Sequence, residues 1–411
     1  MKRLKVLLCA YGCSPFRGSE PGVGWNISTR LGRYHDVTVF YGDPGNDRDV
    51  GKFIKENGEI SGVEFVFVPH SQWELLWLKF SRITVFSFFY YVGYRLWLYR
   101  IYKKAKALHA RAPFDLAHHL TIISFREPGF LWKLPIPFFW GPINGADNVP
   151  WAYFPMLSLG ARARYAVRNI MNLFQRHGSF SVRKAAKKAS KIWAVTDEDL
   201  MMITQQWGVE AEQMTETGAV LLDSEMKPRH YDSGRPLRLV WSGVLEGRKA
   251  LPLLLFALAE LSDRERVCLT VLGDGPEEER WMALAKKLKV NYLINWVGRV
   301  PLDEAQKVMG DADVFIFTSI KEASSTVVME ALSFGLLVIC HDTCGMKHVI
   351  DESCGIKIPL DNPEMSSAMF SSAIQRILDA PELIEKLSGG ALARARLFAW
   401  DKKADTIAQA Y

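Results

Sequence analysis

The sequence predicts an α/β protein built from two doubly wound, Rossmann-like domains. Three observations predict it. Short apolar runs recur near residues 5–10, 36–41 and 63–69, and again near 237–243, 267–272 and 313–319, each followed by a polar turn or a segment of helical period. Unbroken runs of this length mark strands buried on both faces of a parallel sheet, and their alternation with helices marks parallel crossover units. The alternation starts twice in 411 residues, a length that supports two separate cores. Residues 223–236 between the halves are polar and rich in turn formers, as an interdomain linker is. The expected division is a first domain over 1–222, a linker over 223–236, a second domain over 237–395, and a last helix over 396–411 able to return to the first domain.

A composition 49% hydrophobic and 23% charged excludes a disordered chain. The net charge of +6 is unevenly spread, because residues 75–114 hold eight Lys or Arg and residues 149–196 hold nine, with no acidic residue in either stretch. Such asymmetry points to an anionic partner, a membrane surface or nucleic acid. In the first stretch Trp77, Phe80, Phe86, Phe88, Tyr91 and Trp97 mingle with Arg82, Arg95, Arg100 and Lys103. Rings and cations in one helix suit a membrane interface, or else the rings are core. The longest uncharged run there, residues 83–94, has twelve residues, short of the roughly 20 a spanning helix needs. Residues 1–10 read as a first strand, not a secretory leader. Cys9, Cys13, Cys268, Cys340, Cys344 and Cys354 lie mostly in or beside apolar runs with no spaced framework, so reduced thiols and a cytoplasmic chain are expected, with no metal.

In chain order, the first strand runs into a turn holding Gly18, Gly22 and Gly24, where a bare backbone can approach phosphate closely. The dinucleotide fingerprint Gly-x-Gly-x-x-Gly is missing there, which counts against a nucleotide-cofactor dehydrogenase. Helix 22–32 and strands 36–41 and 63–69 follow, then strand 115–120 with His118 and His119 at its carboxyl end. Ligands of parallel sheets bind at that end. Period two puts the two rings on opposite faces, so one of them faces the crevice and both remain candidates. A basic helical stretch over 161–191 precedes strand 192–196. The second half opens with a strand ending at Gly243, then Arg248-Lys249, then a helix to about 262. After strand 313–319 comes Glu322, followed by Ala323, Ser324, Ser325 and Thr326, which start a helix carrying Glu330. The free amides of a helix start attract phosphate, and flanking carboxylates accept hydrogen bonds from sugar hydroxyls. A nucleotide sugar offers both.

From residue 241 to 359 the order and spacing resemble a known family, the retaining glycosyltransferases of family 4, whose GT-B fold sets two Rossmann-like domains about a central cleft. The pieces are Ser242-Gly243, Arg248-Lys249, Gly273-Asp274-Gly275-Pro276, Val297-Gly298-Arg299-Val300, Ala312-Asp313-Val314 and Glu322-x7-Glu330. The resemblance implies that Glu330 holds the ribose hydroxyls of the donor. It gives Glu322, with the amides of Ala323, Ser324, Ser325 and Thr326, the sugar and diphosphate. Lys249 with Arg248 would neutralise the diphosphate, Gly18 and Gly243 would lie near the donor, and the Val300 backbone would meet the base. The family histidine falls on His118 or His119. No cofactor and no metal are implied, and Asp311-Ala312-Asp313 is given a structural role. The expected partners are a nucleotide-sugar donor, a saccharide or lipid-linked saccharide acceptor and an anionic membrane surface, without nucleic acid. The expected reaction is sugar transfer in cell-envelope glycan synthesis, on the inner face of a bacterial membrane. Two departures stand out: Val244 where many members have arginine, and Ala323-Ser324 where glycine is common. They leave open a catalytically silent partner protein.

Overall fold

The computed structural model describes residues 2–80, 89–222 and 226–411. Among the described residues thirteen strands form two sheets. The first holds β1 (Lys5–Cys9), β2 (Asp36–Tyr41), β3 (Val63–Phe67), β4 (Leu116–His119), β5 (Phe138–Ile143), β6 (Ala189–Ala194) and β7 (Glu212–Gln213) in the order β3-β2-β1-β4-β5-β6-β7. The second holds β8 (Leu237–Ser242), β9 (Val267–Leu272), β10 (Ile294–Gly298), β11 (Val314–Phe317), β12 (Leu337–His341) and β13 (Gly355–Ile358) in the order β10-β9-β8-β11-β12-β13. Every strand pair is parallel. In each sheet the order reverses beside the first strand, which opens a crevice at the carboxyl ends of β1 and β4, and of β8 and β11.

The unbroken apolar runs have a plain cause. On β1, Val6 and Leu8 pack with Ile27, Leu31 and Trp193, while Leu7 and Cys9 pack on the other face with Trp97, Ile101 and Trp140. On β8, Leu237, Leu239 and Trp241 serve one core and Val240 the other. Both faces of each sheet are covered, so neither has a polar alternate.

The chain divides into two compact units, one of Met1–Ala146, Leu173–Thr217 and Trp400–Tyr411, the other of Asp147–Asn172 and Gly218–Ala399. A cut at 222 therefore misassigns Asp147–Asn172. Tyr153, Leu157, Ala161 and Tyr165 of this stretch share a core with Ala250, Leu253 and Ile320, and the Tyr153 hydroxyl lies 2.6 Å from Ser366 Oγ. Of the linker expected over 223–236, residues 223–225 lie outside the described residues, and residues 226–236 are firmer than their composition suggests. Arg229 donates to the carbonyls of Gly310 (2.8 Å), Ala312 (2.6 Å) and Phe334 (2.8 Å), two of them at helix ends whose carbonyls lack partners within the helix.

The helix Trp400–Ala410 packs in the first unit against Ser19–Leu31. Arg33 bonds Asp401 at 2.5 Å and Tyr34 bonds Asp405. Lys403, fully enclosed, bonds the carbonyl and hydroxyl of Thr215, and burial pulls its ammonium down to about 7. The Tyr411 hydroxyl lies 2.5 Å from His118 Nδ1.

The aromatic stretch forms two packed helices, Gln72–Phe80 and Phe89–Arg111. Tyr94, Trp97, Leu98 and Ile101 belong to the core, whereas Trp73, Leu76, Phe80, Leu96 and Tyr99 are exposed. Residues 81–88, with Arg82, Phe86 and Phe88 of the expected interfacial segment, lie outside the described residues. Among the described residues no helix is long and apolar enough to cross a membrane.

Tyr411→Phe should cost about 1–2 kcal/mol, because it leaves a buried imidazole nitrogen unsatisfied. Urea titration of variant and parent reads this as a lower midpoint at unchanged slope.

Candidate functional site

The second unit concentrates charge at the carboxyl ends of β8 and β11. After β8 the chain passes Gly243 and makes a short 3-10 turn, Gly247–Lys249. After β11 it makes a loop that ends at Ser325, the N-cap of the helix Thr326–Ser333. Three hydrogen bonds stitch the loops together. The Thr318 hydroxyl donates to the Lys249 carbonyl at 2.7 Å and accepts from Trp241 Nε1 at 3.0 Å, and the Ile320 amide donates to the Arg248 carbonyl at 2.9 Å.

This backbone carries Arg248 and Lys249 onto Glu322. Arg248 Nη1 lies 2.6 Å from Glu322 Oε2, the Lys249 ammonium bonds the same oxygen, and Arg248 Nη2 holds Glu246 at 2.6 Å. The ammonium also sits 5.0 Å above the Phe317 ring. The Lys249 side chain is 9% exposed and that of Glu322 is 18% exposed. Burial alone would raise the Glu322 carboxyl, yet Lys249 and Arg248 hold it below the usual carboxylate value. For Lys249 burial dominates and lowers the ammonium, with Glu322 pulling the other way.

Glu330, one turn into the helix, has the opposite environment. Burial, with no countercharge beside it among the described residues, pushes its carboxyl up to about 7. Two carboxylates eight positions apart thus differ in kind, one clamped ionised by cations and one held ready for a neutral hydrogen-bonding group. Ala323, Ser324 and Ser325 are buried between them, and the Ser325 side chain makes no cap bond. The first-turn amides are therefore not consumed by that hydroxyl. The Ala323 carbonyl accepts from the Gly345 amide at 3.0 Å, which fixes the loop from behind.

The glycine motifs do structural work at this end. Gly273 and Gly275 have φ of +120° and +159°, and a Cβ on them would collide with the carbonyl oxygens of Gly243 and Leu245. The Gly243 amide bonds the Leu272 carbonyl at 3.0 Å and the Gly273 amide bonds that of Gly298 at 2.8 Å, so the motif closes the ends of β8, β9 and β10. Val300 follows β10, half-buried against the core behind the Thr326–Ser333 helix. Val244 is 52% exposed. Asp313 is taken by arginines: Arg235 grips both its oxygens at 2.6 and 2.7 Å, and the Arg238 amide adds a bond of 2.9 Å. Those bonds outweigh burial and hold its carboxyl low.

The remaining sequence candidates lie in the first unit. Gly18, exposed, caps the helix Ser19–Leu31, and a Cβ there would meet none of the described atoms within 4 Å, so packing does not require the glycine. The two histidines fall on opposite faces of β4, as period two requires. His118 packs with Phe139, Trp193 and Tyr411, and its nitrogens meet the Gly141 carbonyl (2.8 Å) and the Tyr411 hydroxyl (2.5 Å). A ring N–H must donate to the carbonyl, so Nδ1 accepts from the phenol. Burial lowers His118 to about 4, and both nitrogens of the neutral ring are spent within the core. His119 Nε2 lies 3.3 Å from the Tyr94 hydroxyl, and its buried Nδ1 has no hydrogen-bond partner among the described residues. Burial, reinforced by His118, lowers it to about 3.

Two further groups escape a sequence reading. Glu20, just after Gly18, accepts from the Ile122 amide, and burial raises its carboxyl to about 7. The Tyr11 hydroxyl lies 2.8 Å from His70 Nε2, His70 Nδ1 lies 3.3 Å from Glu74, and Arg100 donates to Glu74 at 2.8 Å. Only the position of Tyr11 and Glu20 after the first strand hinted at them.

Comparison with known proteins follows this geometry. Residues 224–392 match the sequence model of the family described as glycosyl transferases group 1. The chain is 27% identical over 244 residues to a D-inositol 3-phosphate glycosyltransferase of Streptomyces bingchenggensis, covering 54% of this chain and 52% of that one. It is 24% identical over 206 residues to the lipopolysaccharide glucosyltransferase WaaG of Escherichia coli, covering 46% and 54%. The matched regions span about half the length of these curated relatives. The crystal structure of WaaG, a glycosyltransferase involved in lipopolysaccharide biosynthesis, superposes with a TM-score of 0.59 at 19% identity over 98% of this chain and 99% of that one. Anabaena HepE in complex with UDP and glucose gives 0.60 at 15% identity over 99% of each. The fold is GT-B, and the likeness to group 1 glycosyl transferases lies in residues 224–392.

A buried carboxyl raised to about 7 is more protonated in the folded chain than in the unfolded one between pH 4.5 and 7. Its contribution to stability is full below the unfolded value and is lost as pH rises through about 7. Glu330→Gln should therefore gain on the parent across that window, by up to about 1.4 kcal/mol per pH unit. Thermal midpoints of both proteins at stepped pH measure it.

Proposed function

We propose that the chain transfers a sugar from a nucleoside-diphosphate sugar to a hydroxyl of a saccharide or lipid-linked saccharide, with retained anomeric configuration and without a metal ion. The observation that carries the reading is the convergence of Arg248 and Lys249 on Glu322 beside a helix start. Two cations and a row of amides are what a diphosphate leaving group needs as its charge grows. Glu330 then accepts the ribose hydroxyls, Glu322 and the amides of residues 323–326 take the sugar and diphosphate, and the Val300 backbone meets the base. Gly18 and Gly243 leave room for the donor. Of the two histidines, His119 is the one with a nitrogen to offer, since His118 is spent on Gly141 and Tyr411.

In this reaction the acceptor oxygen attacks the anomeric carbon on the face from which the diphosphate departs. The bond to the leaving phosphate oxygen breaks, and that oxygen takes the acceptor's proton. Retention then requires no carboxylate nucleophile of the hydrolase kind. HepE, crystallised with UDP-glucose, supports a uridine diphosphate donor. The likeness to WaaG, a lipopolysaccharide glucosyltransferase, supports a saccharide acceptor of the cell envelope. A silent relative is the rival reading, and an exposed Val244 in place of arginine is the observation that favours it.

A thermal-shift panel of nucleotide sugars identifies the donor, because a ligand at 100 times its Kd stabilises by about 2.7 kcal/mol. With that donor, Glu322→Gln should lower transfer about 100-fold or more. Binding of the nucleoside diphosphate alone should persist, since Arg248 and Lys249 stay. Full transfer by this variant would remove the site assignment, and donor binding without any transfer by the parent would make the chain a silent relative.

A further inference from the structure

A closed circuit of bonds surrounds the backbone of Glu322, and Asp147 supplies two of its links. The buried Lys321 ammonium donates to the Asp147 carbonyl at 2.6 Å, where Asn172 also donates at 3.2 Å. The Lys321 carbonyl in turn accepts from Arg248 Nη1 at 3.2 Å. On the other side the buried Cys344 thiol bonds the backbone of Glu322 and the Asp147 carboxyl, and the Thr343 hydroxyl lies 3.6 Å from its sulfur. Burial, reinforced by Asp147, raises the thiol well above its ordinary value, while the Glu322 contact pulls it down, as an N–H donor does. The group is therefore a neutral S–H that donates to Asp147 while its sulfur accepts from the Glu322 amide. Cys344 has φ of +50°, a conformation that glycine adopts without steric cost and other residues rarely. A Cβ on the next residue, Gly345, would collide with the Ala323 carbonyl, so this turn lies directly against the loop that carries Glu322. A side chain thus stands at 344 where bare backbone would serve the turn, and strain of that kind persists only where the surroundings over-determine it.

We propose that Cys344, Asp147 and Lys321 are positioning residues for Glu322. They fix its backbone from both sides, so that its carboxylate can leave Arg248 and Lys249 and meet the donor sugar at one place. A space-filling role accounts for neither the buried ammonium nor the buried carboxyl, since burial of charged groups is costly without a purpose for their bonds. Asp147 comes from the first half of the sequence but belongs, with Asn172, to the second unit. The proposal rests on the nucleotide-sugar reading above and adds to it the side chains that hold the loop.

The test compares thermal shifts given by a nucleoside diphosphate and by its sugar conjugate, together with transfer. Cys344→Ala keeps the Cβ and removes only the thiol. This variant, and separately Asp147→Ala, should keep the diphosphate shift, because Arg248 and Lys249 stay. Both should lose most of the extra shift that the sugar gives, and lower kcat/KM about tenfold or more. Cys344→Ser, whose hydroxyl donates and accepts, should restore both close to the parent. The double alanine variant should be no worse than the poorer single one, because the two side chains act through one chain of bonds. Lys321→Met, which keeps the stem and removes the ammonium, reads the same loss from the opposite side of Glu322. A parental sugar increment in the alanine and methionine variants overturns the proposal. So does a serine variant no better than alanine, or losses that add in the double variant. A sugar increment in the parent without any transfer counts against the transferase reading alone, and the increment then tests the positioning by itself. A parent that no nucleotide sugar shifts overturns both.

Discussion

One carboxylate oxygen, Glu322 Oε2, receives both the Arg248 guanidinium and the Lys249 ammonium, and the chemistry of the second sheet turns on that contact. Two cations brought together out of water repel each other and lose hydration, which costs several kcal/mol per ion unless anions answer them. Glu322 answers both, and Glu246 adds a second contact to Arg248. The resting cluster is thus charge-balanced, and the cations stand ready without destabilising the fold. A diphosphate arriving there would exchange partners with Glu322, not enter an empty well. Freed from one cation, the carboxylate could turn to sugar hydroxyls. A single residue would then serve as a stand-in anion before the donor binds and as a sugar ligand afterwards.

That exchange requires the backbone under the cluster to hold still. Thr318, itself held by Trp241, holds the Lys249 carbonyl, Ile320 holds that of Arg248, and Gly345 holds that of Ala323. Each bond lies at the base of Lys249, Arg248 or Ala323, so these side chains can change partners while their Cα atoms stay. Glu330 shows the other half of the design. It sits on the helix Thr326–Ser333 with no countercharge beside it among the described residues, and burial alone raises its carboxyl to about 7. The two glutamates therefore answer changes in pH differently, although they belong to one motif.

Local features of the site were legible in the sequence because local rules determine them. A glutamate before a helix cap, a second one turn inside, a strand ending in glycine and a basic pair shortly after it are all properties of a few consecutive residues. What the sequence could not assign depends on distant partners. Which of His118 and His119 is spent is decided by Tyr411, 293 positions away. The place of Asp147–Asn172 is decided by Tyr153 meeting Ser366, 213 positions away. Residues 226–236 have a linker's composition, yet Arg229 makes their start part of the second unit by binding carbonyls near 310 and 334. The Tyr11, His70, Glu74 and Arg100 chain had no spacing to betray it, since its members come from two loops and two helices.

The Leu159–Gln175 helix shows the same limit in its sharpest form. Its sequence displays two faces, one with Ala161, Tyr165, Asn169 and Asn172, the other with Val167, Ile170, Met171 and Phe174. Any rule based on hydrophobicity would turn the second face inward. The structure turns it outward, and the buried asparagines bond backbone groups of the segment before the helix: Asn169 takes the Val149 amide and carbonyl, and Asn172 joins Lys321 on the Asp147 carbonyl. Leaving the apolar stripe in water forfeits burial worth roughly 1.5–3 kcal/mol for each large side chain.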